Sequence, residues 1–180
     1  GTGVFSGCHS LTEAVFDDSY TTIPDNTFAN VIPAEGAVFH LPLNLSEIGF
    51  YAFEGSIIQK MNISDCVGLT EIGDYAFQGT VLFDSDEADN PDAWKCDFSK
   101  CTKLTTIRQH AFANAVFAYG KVTLPDSVSK MGVAVFFATS GLKSINIPKS
   151  MEAIPDGTFM CSYDLATVTV PADAAFTSVG

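Results

Sequence analysis

Basic residues are scarce in this chain of 180: Lys and Arg total 9 against 21 Asp and Glu, a formal net charge of -12. No basic stripe interrupts that excess, which excludes nucleic acid and anionic lipid headgroups as partners, since both need clustered cations. Long hydrophobic runs are missing too. None approaches the roughly 20 apolar residues that cross a bilayer, so this segment does not insert into a membrane. The sequence opens with no initiator Met, charged n-region or apolar h-region, and an export signal is expected outside it. Also absent are Cys-x-x-Cys pairs, zinc-type Cys/His spacings, the Gly-x-Ser-x-Gly elbow, the P-loop and the dinucleotide fingerprint.

What the chain does have is phenylalanine at a fixed interval. Phe5, Phe28, Phe53, Phe77, Phe112, Phe136 and Phe159 recur at steps in the twenties, with one longer step between Phe77 and Phe112. Five residues before six of them stands a large apolar residue (Ile23, Ile48, Ile72, Ile107, Met131, Ile154), and directly before each a small or β-branched one. Self-similarity at such a period is the signature of a solenoid, in which each repeat buries its apolar face against its neighbours. With 47% hydrophobic residues the chain has enough apolar surface for that core. Gly1 and Val179-Gly180 each occupy part of a repeat motif, so both ends are expected to cut a repeat and the chain to be a segment of a longer protein.

After each phenylalanine comes an alternating segment that reads as a short, half-buried strand. Leu142-x-x-Ile145-x-Ile147-Pro148 and Leu165-x-x-Val168-x-Val170-Pro171 are the clearest, and seven such strands can be placed. Proline cannot donate to a ladder and ends the strand. Three residues beyond the last strand position stand Ser19, Asn44, Cys66, Cys101, Ser127, Ser150 and Asp173, short side chains able to bond neighbouring loop backbone.

This is the leucine-rich-repeat pattern. With Ile48-Gly49-Phe50-Tyr51-Ala52-Phe53 and Ile72-Gly73-Asp74-Tyr75-Ala76-Phe77, the chain resembles the BspA-like, or Treponema pallidum type, leucine-rich repeats over essentially its whole length. Departures are local: Arg108, Pro24 and Pro155 replace the glycine in three repeats. The expected fold is an α/β repeat solenoid, a right-handed superhelix in one domain of about seven repeats over residues 1–180. It has a short-stranded parallel sheet on the concave face, short helical or 3₁₀ turns opposite, and the phenylalanines stacked inside. The resemblance further implies an extracellular or cell-surface protein of bacteria, although members also occur in eukaryotic microbes. It implies adhesion to host extracellular matrix proteins and to other cells.

Two surfaces are candidate sites. Between the inward residues of each strand points an outward one: Val15, His40, Asn62, Asp97, Thr123, Asn146 and Thr169. This polar ladder reads either as a plain soluble sheet surface or as the face on which curved solenoids hold extended partners, here a protein or glycan. The second is an insertion near 80–93 in the long repeat, carrying Asp84, Asp86 and Asp89, with Trp94, the single tryptophan, just after it. Insertions of this kind often lie on a binding face. Its carboxylates could hold Ca²⁺, but their order is not that of an EF-hand, and a solvated acidic loop without cofactor is the better reading.

His9, His40 and His110 fall in three separate repeats with no nucleophile and carboxylate in a recognisable motif, so the chain reads as a non-catalytic protein. All five cysteines fall on repeat positions and read as structural thiols. Cys66 and Cys101 occupy equivalent positions in adjacent repeats, where one bridge could form; the odd count leaves at least one thiol free. Besides a binding module, a spacer holding neighbouring domains away from the cell surface fits the same features, and metal-dependent hydrolysis at Asp84, Asp86 or Asp89 is the enzymatic alternative.

Overall fold

In the computed structural model of the chain, residues 1–82, 96–118, 120–172 and 178–179 are described. They coil as a parallel β-solenoid whose repeats contribute short strands to three narrow faces of sheet. The first sheet is the alternating one expected from the sequence. Glu13–Val15, Val38–His40 and Lys60–Met61 pair in parallel, as do Lys121–Val122, Ser144–Asn146 and Thr167–Thr169, and a bridge between Asp97 and Thr123 adds the rung before the second group. Alternation decides burial here: Phe39, Leu41, Met61, Ile63, Phe98, Val122, Leu124, Ile145 and Ile147 all face the core.

The second sheet is built on the large apolar residue five before each phenylalanine. Ile23, Ile48, Ile72, Ile107 and Met131 pair in one continuous parallel register, and Ile154 continues the pattern against Val179. A third sheet, Ile57–Ile58, Val81–Leu82 and Val116–Phe117, follows the phenylalanine turns. Inside, the seven phenylalanines form the expected spine. Centroid spacings from Phe5 to Phe159 run 5.4, 5.2, 5.1, 5.1, 5.3 and 5.9 Å, with ring planes within 17° of parallel. Such offset stacking adds to the area each ring buries.

The expected helical turns opposite the first sheet are not there. Among the described residues the one helical element is a 3₁₀ turn at Ile63–Asp65, which follows a first-sheet strand and not a phenylalanine. The phenylalanine turns are instead chained β-turns. In one of them Ala52 N–H donates to Gly49 O (3.3 Å), Glu54 N–H to Tyr51 O (3.2 Å) and Ser56 N–H to Phe53 O (3.2 Å).

The intervening N–H groups point along the solenoid: Tyr51 to Asp74 O, Phe53 to Ala76 O and Gly55 to Gln78 O, at 2.8–3.1 Å. Alternate donors thus leave the repeat, and an α-helix, which keeps its donors within itself, could not supply them. Two residues per turn take positive φ to achieve this, two before and two after the phenylalanine: Gly3 and Gly7, Asn26 and Asn30, Tyr51 and Gly55, Tyr75 and Gly79, His110 and Asn114, Ala134 and Ala138, Gly157 and Cys161.

Close approach explains the repeat glycine. A Cβ on Gly73 would lie 2.8 Å from the Ile48 carbonyl oxygen and 2.8 Å from the Gly49 carbonyl carbon of the preceding repeat. Arg108 takes the same slot one repeat on, and its guanidinium runs outward to bond Glu71. The register on either side is unbroken, so this departure leaves the lattice intact.

Candidate binding surface

The first sheet aligns the predicted ladder in two runs, one from Val15 to Asn62 and one from Asp97 to Thr169. Val15 is in register with His40, Asp97 with Thr123, and Asn146 with Thr169. Its members are not equivalent. The Asn62 amide is bound on both sides by the preceding repeat, accepting from Leu41 N–H at 2.7 Å and donating to Leu41 O at 3.1 Å. Asn146 does the same with Leu124, at 2.8 Å in both directions. Each side chain imitates a backbone ladder pair at a strand end, so these two positions hold the sheet together. Asp97 caps a turn through the Ser99 N–H at 2.9 Å and keeps its second oxygen free of that bond. His40 is the open member: its Nε2 lies 3.5 Å from Glu13 Oε1, with both side chains about half exposed.

Strand parity adds a second outward column that the sequence reading passed over. Glu13, Val38 and Lys60 share one register, as do Lys121, Ser144 and Thr167. The signal was present, because the residue two before an outward strand residue must face the same way. The surface thus carries Glu13, Lys60 and Lys121 beside His40, Asp97 and Thr123, with both signs of charge and few apolar groups. Asp84, Asp86, Asp89 and Trp94, and with them the Ca²⁺ question, lie outside the described residues.

The cysteines behave as lattice residues. Cys66 and Cys101 are free thiols, fully buried. Cys66 Sγ points to Pro42 O at 3.6 Å and Cys101 Sγ to Ile63 O at 3.5 Å, each a carbonyl of the preceding repeat. Ser127 and Asn44, at the equivalent position, donate to Leu104 O and Asp18 O at 2.8 and 2.9 Å. Burial pushes the Cys66 thiol up to about 12 and that of Cys101 to about 11. Such groups stay protonated and unreactive in the folded state.

Among solved structures the fold is similar to that of the pneumococcal vaccine antigen PcpA, with a TM-score of 0.50, 17% identity, and coverage of 91% of this chain and 52% of that one. A leucine-rich cell surface protein of Faecalibacterium prausnitzii aligns over 99% of this chain and 66% of its own, with a TM-score of 0.40 and 18% identity. A leucine-rich-repeat protein of Bacteroides ovatus aligns over 100% and 59%, with 0.36 and 21%. The chain therefore spans about half to two thirds of the length of these proteins. Comparison with curated proteins gave no match. The model of the BspA type leucine-rich repeat region matches in six copies, over residues 1–85 and 95–179. Those copies share the isoleucine column, the phenylalanine spine and the short parallel strands described above, and the chain belongs to the BspA-type leucine-rich-repeat family.

Proposed function

We propose that this chain is a non-catalytic binding module of an exported bacterial surface protein, holding an extended protein or glycan along the first sheet. The observation that carries the reading is the pair of outward columns in the two runs of the first sheet, Glu13–Val15 through Lys60–Met61 and Lys121–Val122 through Thr167–Thr169, each held in register over successive rungs. A partner laid across it meets one side-chain pair about every 4.8 Å. Family membership and the PcpA-like fold support a surface role, and solenoid faces of this kind serve extended partners. The inserted residues Asp84, Asp86, Asp89 and Trp94 are proposed as a second contact. Extracellular matrix proteins of a host are the first partners to try. Among the described residues no helix is long and apolar enough to cross a membrane.

The test is binding to an array of matrix proteins and glycans, comparing the intact chain with His40→Ala/Asp97→Ala and with a deletion of residues 84–92. Asn62 and Asn146 are left untouched because their amides serve the fold. A ligand lost in either variant locates the site. Absence of any ligand for the folded chain favours the spacer reading.

A further inference from the structure

The phenylalanine turns carry a feature that the first sheet does not. Two residues before the phenylalanine, where other repeats place Gly3, Asn26, Ala134 or Gly157, three successive repeats place Tyr51, Tyr75 and His110, at φ 52, 58 and 54°. Bulky residues rarely adopt this region, and an outlier of this kind is a reason to look for a role. The rings stack on the outside of the molecule, Tyr51 on Tyr75 at 4.9 Å and Tyr75 on His110 at 5.0 Å. His110 Nδ1 is buried without a hydrogen-bond partner. Phe50 stands edge-on against the stack, 4.0 Å from Tyr51 and 5.8 Å from Tyr75 by ring centroid, and is 40% exposed.

The inter-repeat bonds decide what surrounds Phe50. Gly3 N–H donates to Asp25 O, Asn26 N–H to Phe50 O and Tyr51 N–H to Asp74 O, so Asp25, Phe50 and Asp74 are successive rungs of one column. Asp25 Oδ1 also accepts from Phe50 N–H at 2.8 Å, which fixes that carboxylate against the Phe50 backbone. The wider field is mostly of the same sign: residues 1–82 hold ten Asp and Glu and one Lys, and the fixed cation nearest the strip, Arg108, is bonded to Glu71 and also feels the Asp74 charge. An exposed ring between two carboxylates suits a cation, which gains from the ring quadrupole and from both charges.

We infer that this column is a docking strip for a cationic polypeptide segment, with an Arg or Lys side chain laid over Phe50 and its charge between Asp25 and Asp74. The stacked tyrosines and His110 form the rigid shelf beside it. The phenylalanine spine separates the strip from the first sheet, so it is a different surface from the one proposed above.

The test is fluorescence anisotropy of a labelled oligoarginine peptide at fixed ionic strength. Wild type binds; Phe50→Ala and Asp25→Asn/Asp74→Asn each weaken binding by about fivefold or more, the worth of one cation–π or paired charge. Asn retains the Oδ1 that accepts from Phe50 N–H, so the double variant removes charge alone. Glu35→Gln/Asp126→Asn, which removes equal charge elsewhere, binds as wild type. A wild type that does not bind, a Phe50→Ala that binds as wild type, or an equal loss in the Glu35/Asp126 variant overturns the inference.

Discussion

The rings of Phe77 and Phe112 lie 5.1 Å apart and within 2° of parallel, although the long repeat with its insertion runs between them. Each is fully buried and stacked on both faces. The additional residues are therefore accommodated without opening the spine. Phe77→Ala removes a ring from the middle of that stack, and the loss in unfolding free energy is expected at about 3–5 kcal/mol. Urea denaturation measures it, with Phe5→Ala, at the exposed start of the stack, losing clearly less.

Buried hydroxyls tie one phenylalanine turn to the next. Three residues after the phenylalanine, Thr80 Oγ1 donates to Phe53 O at 2.8 Å and Ser162 Oγ to Phe136 O at 2.6 Å; Ser56 Oγ donates likewise to Phe28 O. Thr80→Val keeps the shape and removes one of the two donors to the Phe53 carbonyl, which keeps the Ser56 N–H. A loss of about 0.5–1.5 kcal/mol is expected, read from the same denaturation curves.

The two classes of ladder residue separate by stability. Asn62→Ala breaks both amide bonds to Leu41 and is expected to lower stability by about 1–3 kcal/mol. His40→Ala, at an open position, changes it by no more than about 0.5 kcal/mol. Thermal melts of the two variants check the distinction, and an Asn62→Ala variant as stable as His40→Ala would contradict the structural role assigned to the amide.

Glycine positions divide in the same way. Gly79 has φ 62°, and a Cβ there would meet nothing nearer than 3.9 Å, so Gly79→Ala carries only the left-handed penalty, about 1 kcal/mol. Ala138→Gly, at φ 51°, is expected to stabilise by a few tenths to about 1 kcal/mol, the relieved penalty less the entropy glycine adds to the unfolded chain. Gly73→Ala would press on the backbone of the preceding repeat and is expected to lose more than Gly79→Ala.

The buried thiols make the fold sensitive to alkali. Burial raises Cys66 from 9.0 to about 12 and Cys101 from 9.0 to about 11. Above pH 9 the unfolded chain releases protons that the folded chain retains, so stability falls as pH rises from about 9 to about 12. Cys66→Ser/Cys101→Ser is expected to flatten this decline in a pH series of chemical denaturations. A thiol reagent at neutral pH should label the exposed Cys161 in the folded protein, and Cys66, Cys96 and Cys101 only after unfolding.

Spacing alone determined the repeat: the seven phenylalanines, the isoleucine column and the alternating strands could be placed because burial in a solenoid recurs with the period of the chain. The outward ladder followed from strand parity. What the tertiary structure decided was the use of the backbone between those anchors. A segment such as Gly49-Phe50-Tyr51-Ala52-Phe53 has the residues of a helical turn, but its alternate N–H groups find their acceptors in the next repeat, and that exchange forces Tyr51 into the left-handed region.

The same holds for Asn62 and Asn146, which look like ligand contacts until the neighbouring strand end is in place to bind both sides of each amide. The shelf of Tyr51, Tyr75 and His110 arises where three left-handed positions, far apart in the chain, come one above another. Side-chain burial is a local, periodic property and is legible in sequence. The partner of a backbone donor two dozen residues away, and the sign of φ it imposes, exist only once the coils have stacked.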